Sequence, residues 1–564
     1  MQLLSRKKTD YLLLLAAVSF IILLFYLPLS LVFKSALFPG EGNFTLKNIT
    51  NVLSSPYNRH IIFFTISQAT ISTIFAILIG LPGAWLLATK EFPGKKVLKA
   101  VSSVPFVLPS ILVVLGFVIF FGNNGYLNRL IMGVTGLENP PLKILYSMKA
   151  IILAHGFYNF PIVIRLVSSL WEKLDPSLAN AAMAMGAGRV RLFFTITLPQ
   201  IIPAVLASAA LIFVFCFTSF AIILVLGGGP AYTTLEVEIY RQVRISLNME
   251  AAAALSLTGI LITLVFVYIN VHFQSSLNYH EDIGNQDHLN EKKKKNVHKF
   301  KPGIGIYIVF ITLLVAAPVI SVIIKSFIIP NSEIKGFIFS SSAYSEIFKK
   351  STISYGITIL EAIGNSISYA FYTVIFSILL GTLVSYILKG KSKVSGILDT
   401  LFMLPISVSS VILGLGYLKI MNYIEGPFRS SPILIILAHT VIAFPFVTRA
   451  VKPVMDKIKP ELIHAALSLG ETPFRVFISI ELPLIKSAIF AGAAFAFAIS
   501  IGEMNATILL ASENTITIPL MMYRLIGSYN FTAACALGTL LIIFTFFSFM
   551  VMDYFGSDLD SGGF

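Results

Sequence analysis

Apolar residues run through this chain in blocks of twenty or more, separated by short polar stretches. Six blocks lie near 11–33, 61–88, 101–121, 150–170, 201–226 and 251–273. Six more lie near 304–329, 362–388, 398–421, 432–451, 487–511 and 531–552. About 20 apolar residues cross the hydrocarbon layer of a bilayer as a helix. The pattern therefore predicts an all-α polytopic membrane protein of about twelve transmembrane helices. Pro105, Pro109, Pro161, Pro405 and Pro445 fall inside these blocks. Proline is tolerated in a membrane helix where neighbours satisfy the freed backbone groups. The polar stretch 274–303 carries four consecutive lysines, Lys292 to Lys295. It reads as a solvated cytoplasmic linker between halves 1–273 and 304–564.

Composition agrees. Of 564 residues 56% are hydrophobic and only 12% charged, with a mean hydropathy of +0.86. That charged fraction is about half of what a soluble protein carries. The block that follows Arg6, Lys7 and Lys8 is too long for a signal-peptide core and reads as a retained span. Cys216 and Cys535 both sit in apolar blocks and imply no disulfide framework. The net charge of +14 is spread over the ends of the blocks rather than gathered on one basic helix, which argues against nucleic-acid binding. With the N-terminus inside, 26 Lys and Arg fall on inner segments and 14 on outer ones, with Lys419 inside a block. Cytoplasmic segments carry the excess, so both termini are expected in the cytoplasm.

The two halves repeat. Asn180-Ala181-Ala182, Gly186, Ile196 and Leu198-Pro199 match His464-Ala465-Ala466, Gly470, Ile480 and Leu482-Pro483 at an offset of 284 residues. Leu153-Ala154-His155, Phe160-Pro161 and Arg165 match Leu437-Ala438-His439, Phe444-Pro445 and Arg449 at the same offset. Upstream, Pro105 and Leu115-Gly116 match Pro405 and Leu415-Gly416 at an offset of 300, which places 16 extra residues in the first half, most simply around 122–149. Six spans separate equivalent points, so the halves are two parallel six-helix repeats about an axis along the membrane normal. Each matched motif is expected to form a short cytoplasmic helix. Asp175-Pro176 opens the first helix, and Ala182 and Gly186 lie one turn apart on one bare face. Leu198-Pro199 is expected to begin the next span.

This pattern resembles the coupling-loop motif of the permeases of ABC importers. The resemblance implies that Asn180, Ala181, Ala182, Gly186, Arg191 and Pro199 form one ATPase-docking element. His464, Ala465, Ala466, Gly470, Arg475 and Pro483 would form the other. Asn180 and His464 stand where the family usually has an acidic residue, so Arg191 and Arg475 become the alternative charged contacts. The resemblance further implies two copies of an ABC ATPase subunit and an extracytoplasmic substrate-binding protein as partners, in a bacterial inner membrane. The chain has no phosphate-cradling G-x-x-x-x-G-K-[ST] loop; Gly390-Lys391-Ser392 comes nearest and has Ser at 385. ATP is therefore expected to be used by the partner, with no cofactor bound by this chain and no enzyme activity of its own.

Candidate solute contacts are the ionisable residues within spans, since each costs roughly 2.5–3.5 kcal/mol even on the lowest scales. Glu503, His155 and His439 qualify, and Glu236 stands near the outer mouth with Glu238. Each His has a plainer reading as a satisfied interhelical hydrogen bond, and the two loop acids as ordinary loop charges. The strings Cys216-Phe217-Thr218-Ser219-Phe220, Leu226-Gly227-Gly228-Gly229-Pro230 and Thr233 to Tyr240 resemble the fused thiamine permeases, and close variants occur in the fused ferric-iron permeases. A small cationic solute is the expectation. The rival reading is an ion-gradient-driven secondary transporter with two six-span halves; a non-transporting membrane scaffold is more distant.

Overall fold

The computed structural model describes residues 2–38, 42–283, 302–331, 336–348, 356–390, 393–423 and 432–556. Among them, eleven helices are long and apolar enough to cross a membrane, and a twelfth is bent by 92° at a break. We label the spanning helices in chain order. The first half holds α1 (Leu12–Leu37), α2 (Pro56–Thr89), α3 (Ser110–Phe121), α4 (Met148–Glu172), α5 (Val190–Phe217) and α6 (Met249–Phe273). The second holds α7 (Pro302–Ser326), α8 (Ile359–Ile387), α9 (Ser410–Tyr423), α10 (Pro432–Asp456), α11 (Pro473–Gly502) and α12 (Phe531–Phe555). A small antiparallel pair, Ile328–Asn331 with Gly336–Phe339, follows α7.

Several blocks that read as continuous spans are broken. Before α3 a separate helix, Lys95–Val107, stops at Leu108, whose backbone is extended because Pro109 follows it. Before α9 the helix Lys393–Met403 passes through a tight turn at Leu404–Ser407 and ends at Val408. The block 201–226 breaks at residues 218–220 and the block 487–511 at 503–506. The helix of α6 continues to Ile283, so the first ten residues of the expected linker are helical; residues 284–301, with the lysine run, lie outside the described residues. The extra residues of the first half hold a short helix, Tyr126–Thr135.

Each half is a bundle in which α2, α4 and α5, or α8, α10 and α11, pack together. Glycines set the closest approaches. A Cβ at Gly80 would meet the carbonyl oxygen of Phe160 at 2.9 Å and one at Gly381 that of Phe444 at 3.1 Å, equivalent places in the two halves. The first helix of each half lies between the halves: α1 packs on α9 of the other half as well as on α6 of its own, and α7 on α3 as well as on α12. A Cβ at Gly416 would meet the Pro28 carbonyl at 2.7 Å, and one at Gly116 the Pro318 carbonyl at 2.9 Å. Tyr417 donates its hydroxyl to the Leu24 carbonyl at 2.8 Å, and Lys419 donates to Ser35 Oγ at 2.7 Å. Lys419 therefore ties the halves together near the end of α1.

Candidate functional site: two coupling elements and a buried polar centre

The motif residues lie on one face, at the ends of α4 and α5 in one half and of α10 and α11 in the other. The first short helix is Pro176–Ala184, capped by Asp175, whose carboxylate accepts the Ser177 N–H at 2.8 Å. The second is Pro460–Ser468, opened by Lys459 with no side-chain cap. Gly186 and Gly470 do not extend the face of these helices. They sit past the helix ends at φ of 84° and 95°. Gly186 N–H donates to Met183 O and Ala187 N–H to Ala182 O; Gly470 donates to Leu467 O and Glu471 to Ala466 O. This paired closure with a left-handed residue is the Schellman motif, which favours glycine because a Cβ is strained there. Ala182 is buried and Ala466 half-buried, while Asn180, Ala181, His464, Ala465, Arg191 and Arg475 are exposed. Arg475 lies 3.8 Å from Glu471.

Pro199 and Pro483 take the second position of the α-helices Leu198–Phe217 and Leu482–Gly502, but helical backbone already runs ahead of them. The spans start upstream, and each proline sits two residues past the end of a wide π turn, Phe193–Thr197 or Phe477–Glu481. Proline has no N–H to close the ordinary ladder. Leu198 and Leu482 instead donate to carbonyls five residues back, Phe193 and Phe477. Both prolines are exposed.

Sequence reading missed the apolar side chains around these turns. Leu178, Met185, Val190 and Phe194 are exposed, and so are Leu462, Leu469, Phe474 and Ile478 at the same offset of 284. Met185 and Leu469, just before the glycines, are 84% and 86% exposed. The offset already known from the motif pairs these positions in the sequence.

The intramembrane candidates fall in equivalent places with different partners. His439 Nδ1 bonds Ser500 Oγ at 2.8 Å, and its Nε2 lies 2.9 Å from Thr507 Oγ1 and 3.3 Å from Glu503 Oε2. Glu503 also accepts the N–H groups of Ala506 and Thr507 at 2.9 and 3.1 Å, which caps the short helix Thr507–Leu510 after the break. In the first half His155 Nδ1 bonds Ser72 Oγ at 3.1 Å. Asn159 bonds the His155 carbonyl and Cys216 Sγ, and Gln68 bonds the Cys216 carbonyl. Ser219 stands where the second half has Glu503. Among the described residues, the acid–histidine pair thus belongs to the second half.

Gly502 abuts Pro109 across the interface of the halves: a Cβ at Gly502 would meet Pro109 Cγ at 2.8 Å. A cavity of about 190 Å³ opens there, lined among others by Pro109, Ser110, Tyr158, Phe495, Gly502 and Ser548. Glu236 and Glu238 are buried rather than loop charges, on the short helix Leu235–Arg244 between α5 and α6. Glu236 accepts a 2.5 Å bond from Ser409 Oγ of the other half, and burial pushes its carboxyl up to about 8. Glu238 accepts from Tyr57 at 3.1 Å and from Gln242 at 2.6 Å. The Glu236–Ser409 bond joins the two halves, while Glu238 is held within the first; none of these bonds places Glu236 beside Glu503 or either histidine.

The family described as "Binding-protein-dependent transport system inner membrane component" matches residues 76–279 and 373–560, once in each half. The chain is similar to a thiamine transport system permease protein of Brucella abortus (strain 2308), 25% identical over 493 residues that cover 87% of this chain and 86% of the relative. It is similar to the thiamine transport system permease protein of Escherichia coli (strain K12), 24% identical over 510 residues, 89% of this chain and 90% of the relative. A putative 2-aminoethylphosphonate transport system permease protein of Salmonella typhi is 29% identical over 241 residues, 43% of this chain and 83% of that protein.

Proposed function

The chain belongs to the family of binding-protein-dependent transport system inner membrane components, and from that membership we propose that it carries thiamine into the cell. It is a multi-pass transport subunit of an ABC importer, not an enzyme, and its partners are an ATPase subunit and a substrate-binding protein. The observation that carries the solute is the match to thiamine permeases along 86–90% of their own length, through both halves.

Residues 1–273 and 304–564 form the two halves, joined by 274–303, with both termini and the coupling elements in the cytoplasm. Each coupling element docks on one of two ATPase copies through its glycine-closed turn and the exposed apolar side chains beside it. ATP is bound and spent by that partner, and this chain holds no cofactor. Dimer closure of the ATPase would move both elements together and switch access across the interface of the halves. Glu503, held by His439, provides the negative charge beside that interface, with His155 and Glu236 as further pathway residues. A buried acid there suits a cationic solute.

Uptake by cells with and without the gene tests the solute. Labelled thiamine should enter only with the gene. Entry of ferric iron or of 2-aminoethylphosphonate in its place would replace the solute and leave the transport class standing. A reporter fused near Lys293 should read cytoplasmic; an outward reading would reverse the topology.

A further inference from the structure

Among the described residues, Tyr146, Leu247 and Tyr529 are the non-glycine residues in the left-handed region, at φ of 57°, 53° and 59°. Bulky residues are strained there, and such strain persists where something else compensates for it. All three lie on the face opposite the coupling elements. Leu247 and Tyr529 directly precede the last span of their halves, one membrane crossing beyond each coupling turn. They occupy equivalent loops, Ser246-Leu247-Asn248 and Ser528-Tyr529-Asn530, at an offset of 282. Asn248 and Asn530 cap the following spans by accepting the Ala251 and Ala533 N–H groups at 3.0 and 3.2 Å.

Tyr529 closes its helix as Gly186 and Gly470 close theirs. Its N–H donates to Ile526 O, and Asn530 N–H donates to Leu525 O. The inner face thus fills this left-handed position with glycine, and the outer face fills it with tyrosine. The chain covers little of either side chain: Leu247 is 75% exposed, and Tyr529, whose ring meets the Phe531 ring edge-on with centroids 6.1 Å apart, is 79% exposed. Tyr146, also exposed, crowns an adjacent outer loop and packs against Gly228, where a Cβ would meet Tyr146 Cβ at 2.5 Å.

We propose that Leu247 and Tyr529, one from each half, are the docking points for the extracytoplasmic binding protein. The inference rests on the reading of the chain as a binding-protein-dependent permease. Rigid turns hold the two side chains out from equivalent loops, so one partner spanning both halves meets two preset apolar anchors. Preset anchors lose little freedom on binding.

The test uses the full importer, this chain with its ATPase subunit, in lipid nanodiscs and titrated with its binding protein. Glycine is the replacement of choice, because it removes the side chain and relieves the turn. In the double variant L247G/Y529G, the binding-protein concentration that half-maximally stimulates ATP hydrolysis should rise at least tenfold. The thermal midpoint of the complex should stay or rise, and the ATPase subunit should still co-purify. L247D/Y529D should behave alike in the titration. An unchanged half-maximal concentration would overturn the docking inference alone. So would a fall in thermal midpoint with unchanged titration, the mark of side chains that anchor to lipid headgroups. Failure of the unaltered importer to respond to any binding protein would overturn both this inference and the reading beneath it.

Discussion

Gly186 and Gly470 stand with open space where a Cβ would be, so the only barrier to a side chain is the backbone itself, at φ of 84° and 95°. An alanine in the left-handed region costs about 1–2 kcal/mol. The variant G186A/G470A should therefore insert normally, since neither position supports a span, but unwind the turns that present Met185 and Leu469. Uptake per ATP hydrolysed, measured in proteoliposomes, should fall several-fold; an unchanged ratio would remove these turns from coupling. The motif made the glycines visible but not their role, because four-residue spacing fits one helical face as well as a helix followed by its closing turn. Where a short helix ends depends on its hydrogen bonds. Glu236 sets a pH dependence. Its folded carboxyl titrates near 8, above the ordinary value, so the folded chain holds a proton that the unfolded chain releases. Stability should fall as pH rises from about 4.5 to 8, by at most ~1.4 kcal/mol per pH unit. E236Q should flatten that slope in detergent melts, while an unaltered slope would assign it to other groups.

The elements differ most from the sequence reading where hydrophobic pattern carries no information about continuity. The blocks 101–121 and 487–511 are apolar throughout, yet Pro109 stops one helix and Glu503 caps the start of another. Hydropathy registers neither event, and Pro109 reads in the sequence as one of several tolerated prolines. The two motif helices were legible as a pair and appeared equal; the structure holds them unequally. Lys389, just past α8, pairs with buried Glu481 at 2.5 Å at the end of the second π turn. Gly390 N–H is bound by Asp456 at the end of α10. Counted from the equivalent Gly80 and Gly381, an offset of 301, and from the motif offset of 284, the first half has Ala88 and Thr197 at the positions of Lys389 and Glu481. Removing one partner of a buried pair leaves an uncompensated charge, which costs on the order of 3–5 kcal/mol, toward the low end where one partner is part-exposed. K389A should thus destabilise the protein more than the double variant K389A/E481T, which copies the first half. Thermal melts of the single and double variants measure this. Equal losses in both would mean that the pair holds nothing in place.

At the scale of the whole molecule, the repeat suggested two halves joined by a linker, and that much was legible from offsets of 284 and 300. The exchange of first helices was not, because no local pattern distinguishes a helix packed on its own bundle from one packed on its neighbour. The signs were single residues: Gly416 and Gly116 at equivalent places, each admitting the carbonyl of a proline from the other half. The exchange means that packing, more than the linker, holds the halves together. Fragments 1–283 and 302–564, made as separate chains in one cell, should therefore assemble, co-purify and restore uptake. Fragment 302–564 made alone has no α1 to cover Gly416, to accept from Tyr417 at Leu24 or to bind Lys419 at Ser35, so it should fail to accumulate. Supplying 1–283 without α1 should not rescue it, although five spans of the first half remain. Stable accumulation of 302–564 by itself would show that each half folds within its own helices. Failure of the intact fragments to associate would show that the linker, not the exchanged helices, is what joins them.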